Sequence, residues 1–404
     1  MQKVYVFYHY LDPDDVVSSR LFSELCAGLV TRGWEVTAFP CNRSCHDDSV
    51  IFPREGEFEG TKIERIWRPA WRQSSGIGRI LNAAWMILRW SSLAIRRRHW
   101  PDVVIVGSDP VLSVLIAIVW RRFKPRTIIV NWCFDLYPEA AIADGLLSER
   151  SIVVRFMRAL LKSAYRACDL VVDIGPCMRE RIRRYSSSLR LATIVPWALE
   201  ESVHALGVSS PERKALFGDS GLGLLYSGSF GRAHSYELIL ILTRILKASN
   251  VCLTFSVRGN REMELRAAIL PDDTNIRFVP FIKSENLASR LSSADVHVVT
   301  LREEWTGAVV PSKFFGAIAI GRPVLFCGDR GSAVAQWITQ YDLGWILTPE
   351  TVQDVAASLR ELSKTPGAIQ RKGEHCHQIY QEHFSRRNAL DSWQELLTEF
   401  LACK

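Results

Sequence analysis

Several features are missing from this chain of 404 residues, and each absence removes a class of function. No apolar export segment with a cleavage site precedes the first strand pattern, Val4-Tyr5-Val6-Phe7-Tyr8, so the expected compartment is the cell interior. No glycine falls between that strand and the following helix; the loop reads His9-Tyr10-Leu11-Asp12-Pro13-Asp14-Asp15, which argues against NAD or FAD in this half. The ten cysteines never form a dense framework. Cys133, Cys168, Cys252 and Cys327 sit beside apolar neighbours and read as buried thiols of a reducing compartment. Cys41, Cys45 and His46 have metal-ligand chemistry, but no second ligand pair follows at finger-like spacing, so no metal is expected. No base-reading module or regular aromatic platform accompanies the basic residues, which argues against nucleic acid as a partner.

What is present describes a folded, two-domain protein. With 48% hydrophobic and 23% charged residues the chain is globular, and its length exceeds what one core usually supports. The net charge of +7 suits an anionic partner without naming it. Short apolar runs at Val4 to Tyr8, Glu35 to Phe39, Val103 to Val106, Thr127 to Asn131 and Leu170 to Ile174 alternate with helical stretches. A second series runs through Leu222 to Tyr226, Cys252 to Val257, Ile276 to Phe278, Val296 to Val299 and Pro323 to Phe326. This is the α/β pattern of two doubly wound parallel sheets. The break falls near Val195-Pro196-Trp197, giving domains at 1–196 and 197–384. A final helix within 385–404 is expected to return to the first domain, although a simple terminal helix fits the sequence equally.

Ligands of open α/β sheets sit beyond the C-terminal ends of the strands, so the loops there are the candidate sites. Tyr226-Ser227-Gly228-Ser229-Phe230-Gly231-Arg232 places Gly228 and Gly231 where backbone can approach a ligand, with the Arg232 fork suited to phosphate; a tight turn with a solvated arginine is the plainer reading. Arg258, Gly259 and Asn260 end the next strand and could border a base or ribose, and Glu304 could accept a sugar or ribose hydroxyl. After Val310, the run Pro311-Ser312-Lys313 reads as a helix start offering free N–H groups, the Ser312 hydroxyl and the Lys313 charge. No Asp-x-Asp pair follows a strand in this half; Asp12-Pro13-Asp14 has the spacing but lies in the other. In the first half, Asp14 and Asp15 read as dipole partners of a helix, and Asp135, shortly after the strand ending at Asn131, can cap the next helix.

Two basic amphipathic stretches add a membrane signal. One runs from Arg79 through Trp85 and Trp90 to Arg96-Arg97-Arg98, the other from Val154 to Lys162. Both suit the interface of an anionic membrane rather than a span, or else pack on the first sheet and merely expose their arginines. Val111 to Trp120 reads as a buried helix.

The order Gly228-Ser229-Phe230-Gly231-Arg232, Ala294-Asp295-Val296, Pro311-Ser312-Lys313 and Gly321-Arg322-Pro323-Val324, with Asp135-Leu136-Tyr137-Pro138 upstream, resembles the retaining, nucleotide-sugar-dependent glycosyltransferases of family four. Within them it is similar to the branch that builds exopolysaccharides and cell-envelope polymers. The resemblance implies the GT-B architecture, two Rossmann-like domains facing across a cleft, and metal-independent transfer of a hexose with retention. UDP-glucose is the donor it favours, with guanosine diphosphate and N-acetylated uridine diphosphate sugars open beside it. The implied acceptor is a hydroxyl of a lipid-linked or oligosaccharide substrate at the inner face of the cell membrane. Arg232 and Lys313 would stabilise the departing diphosphate, and Asp135 would orient or deprotonate the acceptor. Many relatives carry two glutamates separated by seven residues; here Ala308 and Gly316 occupy those places, so Ser312, Lys313 and the backbone from Gly307 to Val310 would take over part of the donor contact. A sugar-nucleotide epimerase of the same architecture and a non-catalytic nucleotide- or nucleic-acid-binding protein are the competing readings. Oligomeric state is left open.

Overall fold

The computed structural model describes residues 1–402 except positions 74, 98–99, 203, 206–209 and 282–286; Arg98 of the basic stretch therefore lies outside the described residues. The chain divides into two compact units. The first holds Met1–Val195, Gly307–Val309 and Arg387–Lys404, and the second Pro196–Thr306 and Val310–Arg386.

The first unit is built from β1 (Lys3–Phe7), α1 (Val17–Thr31), β2 (Glu35–Ala38), β3 (Glu55–Phe58), β4 (Thr61–Glu64), α2 (Gly76–Arg96), β5 (Val103–Gly107), α3 (Ile116–Phe123), β6 (Ile128–Trp132), α4 (Glu139–Ala143), α5 (Ile152–Ala167), β7 (Leu170–Asp173), α6 (Pro176–Arg183) and β8 (Leu191–Thr193). Its sheet runs β3-β4-β2-β1-β5-β6-β7-β8 and is parallel except for the β3–β4 hairpin. Every residue of β5 and β6 is buried, as expected of strands covered on both faces. On one face, Phe7, Val104, Val106 and Ile129 pack under Met86 and Trp90 of α2 and Ile116 and Trp120 of α3. α3 packs against both α2 and α5, so the three helices form one layer.

The helix Arg386–Ala402 belongs almost entirely to this unit. The fully buried Trp393 meets Trp132 edge-on at 5.3 Å, Trp34 Nε1 donates to Gln394 Oε1 at 2.6 Å, and Arg32 pairs with Asp391 at 2.5 Å. An indole pair buried in this way makes the terminal helix part of the core.

In the second unit β9 (Leu222–Ser229), β10 (Val251–Arg258), β11 (Ile276–Phe278), β12 (Val296–Thr300), β13 (Val324–Cys327) and β14 (Gly344–Leu347) make an all-parallel sheet in the order β11-β10-β9-β12-β13-β14. Leu224, Tyr226, Leu253, Phe255, Val296 and Val298 supply its core, closed by Ile239, Leu242, Val355 and Leu359 from helices Glu237–Ile245 and Val352–Lys364. Each unit is therefore a Rossmann-like α/β domain.

Candidate functional site

In the second unit the winding reverses between β9 and β12. β10 and β11 lie on one side of β9, and β12, β13 and β14 on the other. Loops leaving neighbouring strands at such a switch point part and leave a crevice. Gly228, Gly231 and Arg232 stand at the end of β9, Arg258, Gly259 and Asn260 at the end of β10, and Glu304, Val310, Ser312 and Lys313 after β12. Every donor-side residue expected from sequence thus lies at one edge of one sheet.

Lys313 joins the two sides of the switch point. It opens the helix Lys313–Ala319, its Nζ donates to the Ser229 carbonyl at 3.0 Å, and it lies 5.2 Å from the centre of the Tyr226 ring. Gly228 has φ +124°, and a Cβ there would come within 2.7 Å of Lys313 Cε. Glycine at 228 therefore meets two demands, the backbone angle and the room for the lysine stem. Burial pulls the Lys313 ammonium down to about 8, although its side chain remains half-buried rather than sealed. Its charge is thus sensitive to mildly alkaline pH.

The helix start differs from expectation. Its first residue is Lys313 rather than Pro311, Ser312 has helical backbone angles without capping the helix, and the helix is only seven residues long. A helix this short has a weak dipole, so the positive character of the junction comes mainly from the Lys313 side chain. Ser312 is exposed and Val310 half-buried in the loop before it.

The neighbouring loops lock together. Phe230 N donates to Arg258 O at 2.8 Å, Arg261 N to Phe230 O at 3.3 Å, and Arg302 N to Ala233 O at 2.8 Å. Gly259, at φ +148°, crosses Phe230 so closely that a Cβ would lie 2.3 Å from its carbonyl oxygen. Arg258 Cζ lies over the Phe281 ring, 4.3 Å from its centre, and Asn260 Oδ1 lies beside Gly231. Glu304 occupies a single turn, Glu303–Trp305, exposed and 3.5 Å from Arg302 Nη2. Arg232 is exposed just past Gly231. His234 was not singled out from sequence. Its Nδ1 faces Thr300 O at 2.9 Å, and burial, reinforced by the Lys313 charge, lowers it to about 3. The ring is neutral at physiological pH, with its proton on Nδ1 facing the carbonyl.

The first unit reverses between β1 and β5, and polar groups cluster there too. His9 follows β1 and Asp109 follows β5, with His9 Nδ1 3.2 Å from Asp109 Oδ2. The contact is ionic; neither ring nitrogen of this 1%-exposed histidine has a hydrogen-bond partner among the described residues. Burial alone would lower the imidazole, yet Asp109 and the Cys41 sulfur lift it to about 9. The signal in the sequence was a polar residue within three positions of the end of each apolar run, but only the strand order pairs them.

Asp135 follows β6, next to β5. Its backbone N–H and that of Phe134 donate to Ser108 Oγ at 3.2 and 3.1 Å, while its carboxylate takes no hydrogen bond among the described residues. It does not cap the next helix, since Pro138 precedes the first turn of α4. Burial and the like charge of Asp109 push the carboxyl up to about 6, even though solvent reaches it. A carboxylate with this affinity for protons and free lone pairs can accept one.

Three further expectations change. The backbone of Gly307 to Val309 is engaged within the first unit: both Gly307 and Ala308 are buried, and Ala308 O accepts from Leu136 N at 2.9 Å. Asp14 is not a dipole partner, because α1 has no acid in its first turn; its carboxylate holds Cys45 N at 2.9 Å and Ser44 Oγ at 3.0 Å. Helix α3 begins only at Ile116, later than Val111, and leaves Ile118 exposed. Among the described residues, no cluster of three His, Cys, Asp or Glu is placed to hold a metal ion, and no helix is long and apolar enough to cross a membrane.

Residues 18–197 match the glycosyl transferase 4-like domain, and residues 222–365 match glycosyl transferases group 1. WbjE of Pseudomonas aeruginosa, described as a probable glycosyltransferase, is 26% identical over 297 residues, covering 72% of each chain. WcaI of Escherichia coli K12, named as a glycosyl transferase of colanic acid biosynthesis, is 21% identical over 315 residues, covering 74% of this chain and 77% of WcaI. Among solved structures, sucrose-phosphate synthase of Thermosynechococcus elongatus superposes with a TM-score of 0.73 at 16% identity over the whole of both chains. HepE of Anabaena, in complex with UDP-glucose, does so with 0.65 at 11% identity, also over the whole of both. The two matched domains cover the whole sheet of the second unit and all of the first but β1, and the chain belongs to the group 1 glycosyltransferases with the GT-B fold.

Proposed function

We propose that the protein is a retaining hexosyltransferase that takes its sugar from a nucleotide diphosphate donor, most simply UDP-glucose, and passes it to a hydroxyl of a lipid-linked or oligosaccharide acceptor in exopolysaccharide or cell-envelope synthesis. The observation that carries this reading is Lys313, held against Ser229 O at the β9–β12 switch point among Gly228, Gly231 and Arg232. A diphosphate leaving group gains negative charge as the glycosidic bond breaks, and cations fixed in advance favour that step. Arg232 and Lys313 are those cations. Arg258, Gly259, Asn260 and Glu304 border the nucleoside and sugar, with Val310 and Ser312 completing the loop. No divalent metal is required in this scheme.

The unengaged carboxylate of Asp135 supports an acceptor role for the first unit: it orients the acceptor hydroxyl and takes its proton as the oxygen bonds the anomeric carbon from the same face that the diphosphate leaves, which gives retention. UDP-glucose is favoured by the complex formed by HepE, and the polysaccharide setting by the name of WcaI. Peripheral contact with the inner face of an anionic membrane is favoured by α2, on which Ile77, Ile80, Leu81, Leu88 and Ile95 are exposed along one stripe beside Arg79 and Arg96.

The test is a calorimetric panel of uridine, guanosine, adenosine and cytidine diphosphates and their common sugars, with and without divalent ion. Selective metal-free binding of UDP-glucose, followed by an α-linked product in proton NMR, is expected. Failure of every nucleotide to bind a folded sample would reject the reading.

A further inference from the structure

The first unit holds a second charged site that the donor chemistry does not use. A cavity of about 370 Å³ is lined by Glu139, Glu149, Arg158, Lys162, Arg181 and Arg184, with Tyr185 in its wall. Its frame is rigid. Tyr185 Oη donates to both Glu139 oxygens at 3.0 and 3.1 Å, and Arg158 spans Glu149 at 2.7 and 3.2 Å while reaching Glu139 at 3.4 Å. Arg181 is half-buried against Gly307. Lys162 and Arg184 are exposed, and neither side chain has an ion-pair partner among the described residues. Four cations against two carboxylates leave two positive charges unmatched, which is the charge complement of a diphosphate diester.

The surroundings select the source of that diphosphate. On α5, Ile152, Phe156 and Ala159 recur at helical spacing, and Arg155, Arg158, Lys162 and Arg166 form the adjoining row. Ile152 is 81% exposed and Phe156 62%, with Val153 and Leu146 also exposed nearby. An apolar row in solvent beside a cationic row is the pattern of a helix lying at a lipid interface. A soluble anion would need the cavity but not the apolar row.

We infer that this cavity binds the phosphate or diphosphate headgroup of the lipid that carries the acceptor, with α5 seated in the membrane surface around it. The inference rests on the lipid-linked acceptor proposed above. Asp135 lines a pocket together with Leu161 and Tyr165 of α5, the helix whose Arg158 and Lys162 line the cavity, so a headgroup held here places the sugar attached to it on the side of the Asp135 carboxylate.

Farnesyl diphosphate, inorganic diphosphate and UDP-glucose are titrated separately into the full chain, into Lys162→Ala/Arg184→Ala and into Phe156→Ser, with thermal melts checking the fold. Farnesyl diphosphate is expected to bind the wild type and to weaken about tenfold or more in the double variant and several-fold in Phe156→Ser, with UDP-glucose affinity the same in all three. Equal farnesyl diphosphate affinity in wild type and double variant would overturn the site. Inorganic diphosphate bound as tightly as farnesyl diphosphate, through Lys162 and Arg184 but indifferent to Phe156→Ser, would overturn the lipid as its source. A chain that binds farnesyl diphosphate through these residues but no nucleotide sugar would keep the site and remove the transferase reading.

Discussion

The two units share a fold plan but expose different chemistry. Among the described residues, seventeen large hydrophobic side chains are exposed in the first unit and four in the second, and ten of the seventeen lie on α2, α3 and α5. The functional edges differ in charge as well: Asp109 and Asp135 mark the first, Arg232, Arg258 and Lys313 the second. A parallel sheet dictates neither difference, since both cores are built from the same kinds of apolar strands. The contrast teaches that fold and task separate at the strand ends and on the outer helix faces. One unit brings cations to its strand ends, the other carboxylates beside helices with exposed apolar side chains.

The sharpest way to break the comparison is at Lys313. Lys313→Ala should lower turnover by roughly 10²–10³-fold and weaken donor binding, with the melting temperature little changed, because it removes a charge needed most in the transition state. Unchanged donor affinity and turnover would take Lys313 out of the site. Asp135→Asn should cost about 10²-fold in turnover while leaving nucleotide affinity intact, which places its effect on the acceptor side; a loss of nucleotide binding would erase the division between the units. Ile80→Ser with Leu88→Ser should reduce partition into anionic vesicles about tenfold at nearly constant stability, as both side chains are exposed. Equal partition would leave the apolar stripe of α2 without a membrane role.

The smallest effect expected is in the pH profile. Asp135 must be ionised to accept a proton and is half-protonated at about pH 6, so kcat/KM should fall as pH drops through that value. Lys313 must be protonated to hold the diphosphate and loses its proton at about pH 8, so kcat/KM should fall again as pH rises through it. Asp135→Asn should abolish the acidic limb and keep the alkaline one.

The strands were legible in the sequence where burial on both faces makes them continuous apolar runs, as in Val103 to Val106. β3 was not, because Glu55–Phe58 is charged and largely exposed, and β14 was not, because Gly344–Leu347 is only half-buried at a sheet edge. The candidate loops at Gly228 to Arg232 and Arg258 to Asn260 could be found because each directly follows a readable strand, and Pro311 to Lys313 because it reads as a helix start. The Lys313–Ser229 bond, the His9–Asp109 contact and the Trp132–Trp393 pair could not, because strand order and the docking of the last helix bring together residues far apart in the chain. The delayed start at Lys313 follows from local geometry: Phe314 N and Phe315 N bond only three residues back, to Pro311 O and Ser312 O, and the first four-residue bond is Gly316 N to Ser312 O.

Hydrogen exchange of the full chain with and without UDP-glucose tests the central claim most directly. Slowed exchange concentrated at residues 226–234, 257–262 and 310–316 is the predicted result; slowed exchange concentrated at 107–113 and 133–139, with those second-unit loops unaffected, would contradict the assignment of donor and acceptor to their units.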